Sequence, residues 1–270
     1  MKDPTQFSLF NKNTLQHAKD FLKTYEELFK WTPPENILEI GCAAGNITKE
    51  ALYPFVEKHL NQLKATDISE EAIEYAKINN VNKKISFEVL DVTNEEQCSK
   101  YNEKFGHIFG FYCFQLIPET DLWSNNISKM LKPGGQFFAY MIVNKCFYNE
   151  ILIEQRNEQD KPWWKYINDK PNQFVDYGSK PTDFIADVLH KAGLETIKIN
   201  CERKYSTFSN IETIKGTIGT INPYSNFIPE SMRNDYMEDY LNKAMKYVQV
   251  DSDGNYYFFL DVLSVLAKKV

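Results

Sequence analysis

The chain has 270 residues, of which 43% are hydrophobic, and its formal net charge at pH 7 is −6. This length is sufficient to bury the core of one large domain, whereas the acidic balance argues against a nucleic-acid partner, which would require a basic surface. The five cysteines form no C-x-x-C pair, so we expect reduced thiols and a cytoplasmic protein. The N-terminus has no apolar region typical of a signal peptide, and no apolar stretch is long enough to span a membrane, so we expect neither.

The N-terminal region has the pattern of an amphipathic helix. Apolar residues recur at helical spacing between Leu15 and Phe29, and Pro33-Pro34 then ends the helix. The leading edge of this helix, residues 13–17, is polar. We therefore expect residues 1–32 to form a helical cover over a ligand site.

A glycine loop follows the next predicted strand. The run Ile37-Leu38-Glu39-Ile40 is apolar apart from one acid and leads into Gly41-Cys42-Ala43-Ala44-Gly45. This pattern predicts a buried parallel strand, a tight turn and a helix. Glycine at positions 41 and 45 would let a ligand approach main-chain N–H groups without meeting a Cβ atom.

The spacing of the glycines distinguishes between cofactor classes. A dinucleotide fingerprint reads G-x-G-x-x-G, but here Ala43 occupies the position of the second glycine. No Gly-Lys-Ser/Thr run follows, which argues against a P-loop. The observed pattern, E-x-G-x-x-x-G, is typical of the first motif of class I methyltransferases, which use S-adenosyl-L-methionine (SAM). We therefore predict a SAM site that includes Glu39, Gly41, Cys42, Ala43 and Gly45.

Two further acids end the next two predicted strands. Asp67 and Asp91 each close a short strand-like run. A carboxylate at such a position can accept both ribose hydroxyls, which is the role predicted for Asp67 with Ile68 beside it, whereas Asp91 and Val92 would hold the adenine. A single aspartate at a strand end is often only a cap or turn residue. Three acids at three successive strand ends favour the cofactor site.

Strands and helices alternate as far as residue 143, which requires a parallel sheet with right-handed crossovers. Beyond this point the sequence becomes aromatic and weakly periodic, a helix begins at Pro181, and a last strand is expected to run antiparallel. We predict an α/β fold, a class I methyltransferase Rossmann-like sheet with a helical cap, in a single domain. Its predicted parts are a SAM-binding core over 35–143, substrate-cap insertions at 144–180 and 205–250, and C-terminal helix and strands at 181–204 and 256–270.

Three local predictions complete this reading. The helix after the glycine loop should end near Pro54, since proline is costly within a helix, and a sixth strand should cover residues 196–201. Asp251-Ser252-Asp253-Gly254 is similar to the start of a calcium loop, but position 262, where the loop needs a glutamate, is Val262. We therefore predict a turn there and no metal site.

The chain resembles the insect juvenile hormone acid O-methyltransferases over nearly its whole length. The glycine loop and the strand-end acids are common to all class I enzymes, whereas Asn13-x-Leu15-Gln16 and Ile221-Asn222-Pro223 are more specific to this family. The other shared elements are Asp67-Ile68-Ser69, Leu90-Asp91, Phe111-Tyr112 and Leu131-Lys132-Pro133-Gly134-Gly135. The resemblance implies SAM-dependent methylation of a carboxylate, with S-adenosyl-L-homocysteine as product and with Phe111 and Tyr112 at the cofactor.

The resemblance also implies how the substrate is held. Gln16 would bind one carboxylate oxygen, and the segment after Tyr112 would supply a second donor. The family usually has His-Trp in that segment, whereas this chain has Gln115-Leu116. Leucine cannot donate a hydrogen bond, so Gln115 is the candidate substitute. The implied partner is a small apolar carboxylic acid, and a homodimer is compatible with the sequence.

Two alternatives remain open at this point. One is a SAM-dependent methyltransferase that acts on an amine or a phenol, which Leu116 motivates because a site built to bond one polar group discriminates strongly by it. The other is a homologue that binds SAM or a ligand without turnover. Methylation of a carboxylate needs no general base, because this group is ionised at neutral pH.

Overall fold

The computed structural model describes residues 4–143, 146–171, 174–220 and 222–270. Their framework is one eight-stranded sheet. Its strands are β1 Glu35–Ile40, β2 Leu60–Asp67, β3 Ile85–Val89, β4 Phe105–Phe111, β5 Leu131–Ile142, β6 Leu194–Phe208, β7 Gln249–Val250 and β8 Tyr256–Lys269.

The strand order is β3-β2-β1-β4-β5-β8-β6, with β7 paired to β8. Strands β1 to β5 are parallel, and β8 runs antiparallel to both β5 and β6. The predicted α/β class, with a mostly parallel sheet and an antiparallel last strand, is confirmed. The strand order reverses between β1 and β4, and in such sheets ligands bind at this point, beyond the carboxyl ends of the strands.

Helices cover both faces of the sheet and the carboxyl ends of its strands. They are α1 Pro4–Phe10, α2 Lys12–Tyr25, α3 Tyr53–Val56, α4 Glu70–Asn79, α5 Glu95–Ser99, α6 Thr120–Met130, α7 Phe147–Asn157, α8 Trp164–Ile167, α9 Pro181–Lys191, α10 Ile211–Gly219 and α11 Glu230–Ala244. Within the described ranges, none of these helices combines the length and the apolar character that crossing a membrane requires.

Helix α2 is fixed to the sheet by its apolar stripe. Phe21 packs against Tyr140 of β5 with ring centroids 4.1 Å apart, and the Tyr25 hydroxyl lies 2.9 Å from Ser264 Oγ of β8. Both aromatic side chains are buried, and burial of one such side chain stabilises the fold by about 2 kcal/mol. This packing holds the start of α2 above the carboxyl ends of β4 and β5.

Some predicted boundaries differ from the observed ones. A π-turn, Thr48–Leu52, leads directly into α3, so the helix continues past Pro54 to Val56. Proline is tolerated there because it lies just after the π-turn, where the regular i→i−4 hydrogen-bond pattern is already interrupted. Strand β6 extends to Phe208 because it pairs with β8 along its whole length.

Residues 144–180 are more regular than expected. They contain α7, whose Tyr148, Ile151 and Leu152 are buried at helical spacing. This helix begins with two adjacent aromatic residues, Phe147 and Tyr148, that are both buried, and its buried positions include the polar Gln155, so its period is weak in the sequence. By contrast, residues 251–255 form the predicted turn, because Asp251 Oδ1 accepts hydrogen bonds from the N–H groups of Asp253 and Asn255.

Candidate functional site

A cavity of about 830 Å³ lies at the carboxyl ends of β1, β2, β3 and β4, beneath α1, α2 and α10. All predicted cofactor residues except Gly45 line it: Glu39, Gly41, Cys42, Ala43, Asp67, Ile68, Asp91, Val92, Phe111 and Tyr112. The parallel arrangement of the strands explains this, because their carboxyl ends meet at one edge.

The glycine loop has a fixed shape. Gly41 and Gly45 have φ values of +74° and +82°, which favour glycine. A Cβ atom at position 41 would lie 2.4 Å from Cys113 Sγ, so this turn is also in close contact with the end of β4. Asn80 Nδ2 donates to the Ala44 carbonyl over 2.8 Å and supports the loop from behind. Gly45 therefore shapes the loop from outside the cavity.

The strand-end aspartates are held in place by backbone N–H groups. Asp67 Oδ2 accepts from Ala43 N and Asp67 Oδ1 accepts from Ser69 N, each over 2.9 Å. Asp91 Oδ1 accepts from both the N–H and the hydroxyl group of Thr93. Asp67 thus connects the end of β2 to the glycine loop, and both carboxylates are oriented before any ligand binds.

Glu39 is the acid buried most deeply in the cavity wall, with only 1% of its surface exposed. Burial, together with the negative charge of Asp67, raises the pKa of Glu39 to about 7. Within the described chain, Glu39 Oε2 has no hydrogen-bond partner. A buried carboxyl oxygen without a donor is costly, so the position of Oε2 suits a cationic donor on a ligand.

A buried hydrogen-bond network connects α2 to the sheet. His17 Nε2 lies 3.2 Å from the Tyr205 carbonyl and must therefore carry the proton that is donated there. Burial lowers the pKa of His17, so the ring is neutral and Nδ1 accepts from the Tyr112 hydroxyl 2.7 Å away. The Tyr140 hydroxyl lies 2.7 Å from that of Tyr112. This network places a neutral imidazole on the cavity wall, which the sequence indicated only as part of a polar helical edge.

The two predicted substrate-binding glutamines have different positions. Gln16 does not line the cavity, because Asn13 and His17 occupy the face of α2 that points inward. Gln16 is the residue next to His17, so it lies on another face, where it is exposed and donates to Asp20. Gln115 lines the cavity, but its Nε2 donates to the Tyr112 carbonyl over 2.7 Å. Its Oε1, which can only accept, has no partner among the described residues.

Donors come instead from residues that sequence reasoning did not assign. Asn11, between α1 and α2, and Asn222, after α10, both line the cavity, and within the described ranges their Nδ2 atoms have no partner. Lys215 of α10 also lines it. The only signal for Asn222 was its place in the Ile-Asn-Pro element of the resemblance, whose Ile221 lies outside the described residues.

Comparisons with known proteins agree with this geometry. A family model described as a methyltransferase domain matches residues 32–175, more than half of the chain. The chain belongs to this methyltransferase family. Its expected cofactor, SAM, is confirmed as that of the family, and the unpaired buried oxygen of Glu39 fits the cationic end of SAM.

Individual relatives extend the similarity over most of the chain. The juvenile hormone acid O-methyltransferase of Drosophila melanogaster is 21% identical over 248 residues, which cover 90% of this chain and 82% of that protein. Malonyl-[acyl-carrier protein] O-methyltransferase 2 of Ilyobacter polytropus is 28% identical over 152 residues, 56% of this chain and 52% of that protein. Phosphoethanolamine N-methyltransferase 2 of Haemonchus contortus, solved with SAM, shares the fold at a TM-score of 0.57 and 16% identity, covering 98% of this chain and 56% of that one.

Proposed function

We propose that this methyltransferase forms a methyl ester on the carboxylate of a small apolar acid. One observation carries the proposal: the cavity that contains the cofactor residues continues into an apolar chamber, and Lys215 is the only lysine or arginine among its described lining residues. The apolar chamber is lined by Ile142, Tyr148, Phe174, Phe258 and Leu260. A cavity that combines an apolar chamber with a single lysine suits a substrate whose hydrocarbon chain ends in an anion.

The strand-end acids would hold the cofactor. Asp67 would accept the ribose hydroxyls, Asp91 and Val92 would contact the adenine, and Glu39 would pair with the ammonium group. When bound, SAM supplies a methyl group that is open to nucleophilic attack. In the loop of residues 41–45, the φ of +74° at Gly41 turns the chain sharply, and Gly41 itself lines the cavity in which the cofactor would bind.

Lys215 would offset the cost of bringing a carboxylate out of water. Its side chain is half-buried, and no described acid forms an ion pair with it. An isolated buried carboxylate is strongly disfavoured, whereas a nearby ammonium group compensates part of that cost. The similarity to a protein named for a juvenile hormone acid supports the same substrate class.

The remaining task of the protein is to position the substrate carboxylate for attack on the methyl group. An ionised carboxylate attacks without prior loss of a proton, so the chain must orient one oxygen and exclude water. The cover formed by α1 and α2 contributes Asn11, Asn13, Thr14 and His17 to the cavity wall and would help to exclude water when both ligands are bound.

Replacement of the cavity lysine tests the substrate's charge. We expect Lys215→Gln to raise the KM for an acid substrate by about 10- to 100-fold, since a hydrogen bond to a charged group contributes about 1.5–3 kcal/mol. The dissociation constant for SAM should change less than about twofold. Steady-state kinetics and a SAM titration measure both quantities.

The exposed Lys77 on α4 provides the matched control. Lys77→Gln should leave the KM for the acid unchanged. An unchanged KM in Lys215→Gln would show that Lys215 does not bind the substrate, and would thereby reject the charge argument on which the proposal depends.

A second candidate function is methylation of an amine or a phenol. Such a nucleophile must lose a proton, and the neutral His17 with the Tyr112 hydroxyl offers a base on the cavity wall. Gln115 Oε1, an acceptor that no described residue pairs with, suits an N–H or O–H group. Substrates with one hydrocarbon chain ending in a carboxylate, a hydroxyl or an amine separate the two candidates: the first predicts turnover of the acid alone.

A further inference from the structure

Asn222 has an amide orientation that its neighbours determine. It precedes the 3₁₀ turn Pro223–Phe227, and its Oδ1 accepts from Tyr224 N at 2.9 Å and from Ser225 N at 3.2 Å. The Tyr236 hydroxyl lies 3.1 Å from the same oxygen. Because backbone N–H groups can only donate, the atom bound to them must be the oxygen. The amide nitrogen of Asn222 is therefore the free end.

This free nitrogen is a buried donor on the cavity wall. Asn222 is 5% exposed and lines the cavity, and no described atom accepts from Nδ2. An unpaired buried donor costs about 1–3 kcal/mol. A ligand that supplies an acceptor would recover this free energy, so the arrangement indicates an acceptor on the bound substrate.

Asn11 supplies a second buried amide nitrogen on the cavity wall. It is 7% exposed, lines the cavity, and within the described ranges its Nδ2 also has no partner. The adjacent Phe10 is in contact with α10: its carbonyl accepts from Thr217 Oγ1 at 3.1 Å, and a Cβ atom on Gly216 would lie 2.4 Å from its ring. Asn11 is thus held beside α10, the helix that carries Lys215. This helix ends at Gly219, three residues before Asn222.

The buried polar atoms of the cavity for which the described part of the chain offers no partner fall into two groups. Acceptors lie on residues at or just after the strand ends: Glu39 Oε2, Asn46 Oδ1 and Gln115 Oε1. Donors lie on the N-terminal cover and on or next to α10. They are the amide nitrogens of Asn11 and Asn222, together with the Lys215 ammonium group. The first group suits a cationic ligand rich in donors, and the second suits a group with two acceptor oxygens.

We propose that Asn222 Nδ2, assisted by Asn11 Nδ2, donates a hydrogen bond to the substrate carboxylate and so selects acids over alcohols. This inference rests on the proposed function. It assigns to Asn222 the donor role that the resemblance gave to Gln16 and to the family's tryptophan, which is Leu116 in this chain. Asn222 is a specificity residue at the substrate, whereas Lys215 provides charge.

The test is the isosteric substitution Asn222→Asp. The aspartate retains an oxygen for Tyr224 N and Ser225 N, so the turn is preserved, but it places an acceptor where the donor was. We expect Asn222→Asp to weaken binding of farnesoic acid and dodecanoic acid by at least about 30-fold, measured calorimetrically with S-adenosyl-L-homocysteine saturating. Binding of S-adenosyl-L-homocysteine should change less than about twofold.

Two further variants make the result specific. Asn11→Asp should weaken acid binding in the same direction and less strongly, and Asn102→Asp, at an exposed turn residue, should have no effect. Farnesol, which ends in a hydroxyl group that can donate as well as accept, should lose less affinity in Asn222→Asp than farnesoic acid does. This relative preference is a readout that a purely structural role of Asn222 would not change.

Each other outcome rejects the inference in a recognisable way. Equal acid affinity in Asn222→Asp and wild type would exclude Asn222 as the donor and leave the proposed function intact. Loss of S-adenosyl-L-homocysteine affinity with unchanged acid affinity would assign Asn222 to the carboxylate of the cofactor. A wild-type protein that binds S-adenosyl-L-homocysteine but no acid would reject the proposed function, and this inference with it.

Discussion

Asp67→Ala is expected to weaken SAM binding by at least about 100-fold. The substitution removes the carboxylate proposed for both ribose hydroxyls, and each hydrogen bond to a charged group contributes about 1.5–3 kcal/mol. It also releases the glycine loop, because Asp67 Oδ2 accepts from Ala43 N over 2.9 Å. Equilibrium titration with SAM measures the loss, and the melting temperature reports whether the fold persists.

Two variants complete this experiment. Asp67→Asn retains the size of the side chain and should give an intermediate loss, because an amide has only one acceptor oxygen. Asp183→Ala, at a side chain that is 72% exposed in α9, should bind SAM as the wild type does. Wild-type affinity in Asp67→Ala would overturn the assignment of the ribose site.

The affinity for SAM is expected to rise about tenfold per pH unit as the pH increases from about 5.5 to 7, and to level off above this range. Burial, together with the charge of Asp67, raises the pKa of Glu39 to about 7. At lower pH the side chain is therefore protonated in the free protein and must lose its proton to pair with the cofactor's ammonium group. Calorimetric titrations in buffers of different ionisation enthalpy also measure the released proton.

Glu39→Gln provides the control for this pH dependence, since glutamine does not titrate. Its affinity should be weaker at neutral pH and nearly independent of pH over the same range. The same pKa shift affects the free protein: protonated Glu39 stabilises the fold at acidic pH, and this contribution is lost as the pH rises through about 7. A slope that persists in Glu39→Gln would assign the pH dependence to another group.

The residues at the ligand-binding edge of the sheet could be predicted from the sequence, because the end of each strand is marked by the residues next to it. Each parallel strand ends where its apolar run ends, and all such ends share one edge of the sheet. The acids at these strand ends, Glu39, Asp67 and Asp91, were therefore predicted together and do line one cavity. The glycine spacing added the cofactor class.

The substrate side could not be predicted in the same way, because its geometry depends on distant contacts. The phase of α2 turns His17 inward and Gln16 outward, and it is set by the packing of Phe21 against Tyr140 in β5. Asn222 orients its amide locally, through Tyr224 N and Ser225 N, but its place on the cavity wall depends on distant packing, including the contact of its Oδ1 with the Tyr236 hydroxyl of α11. No pattern of neighbouring residues in the sequence records either contact.

The chemical identity of the methylated product tests the central claim most directly. The protein is incubated with methyl-labelled SAM and farnesoic acid, and the organic extract is treated with mild base. A methyl ester releases its label as methanol under these conditions, and this is the result we expect. Extractable label that resists base would show a methylated amine or phenol and would contradict the proposed carboxyl methylation.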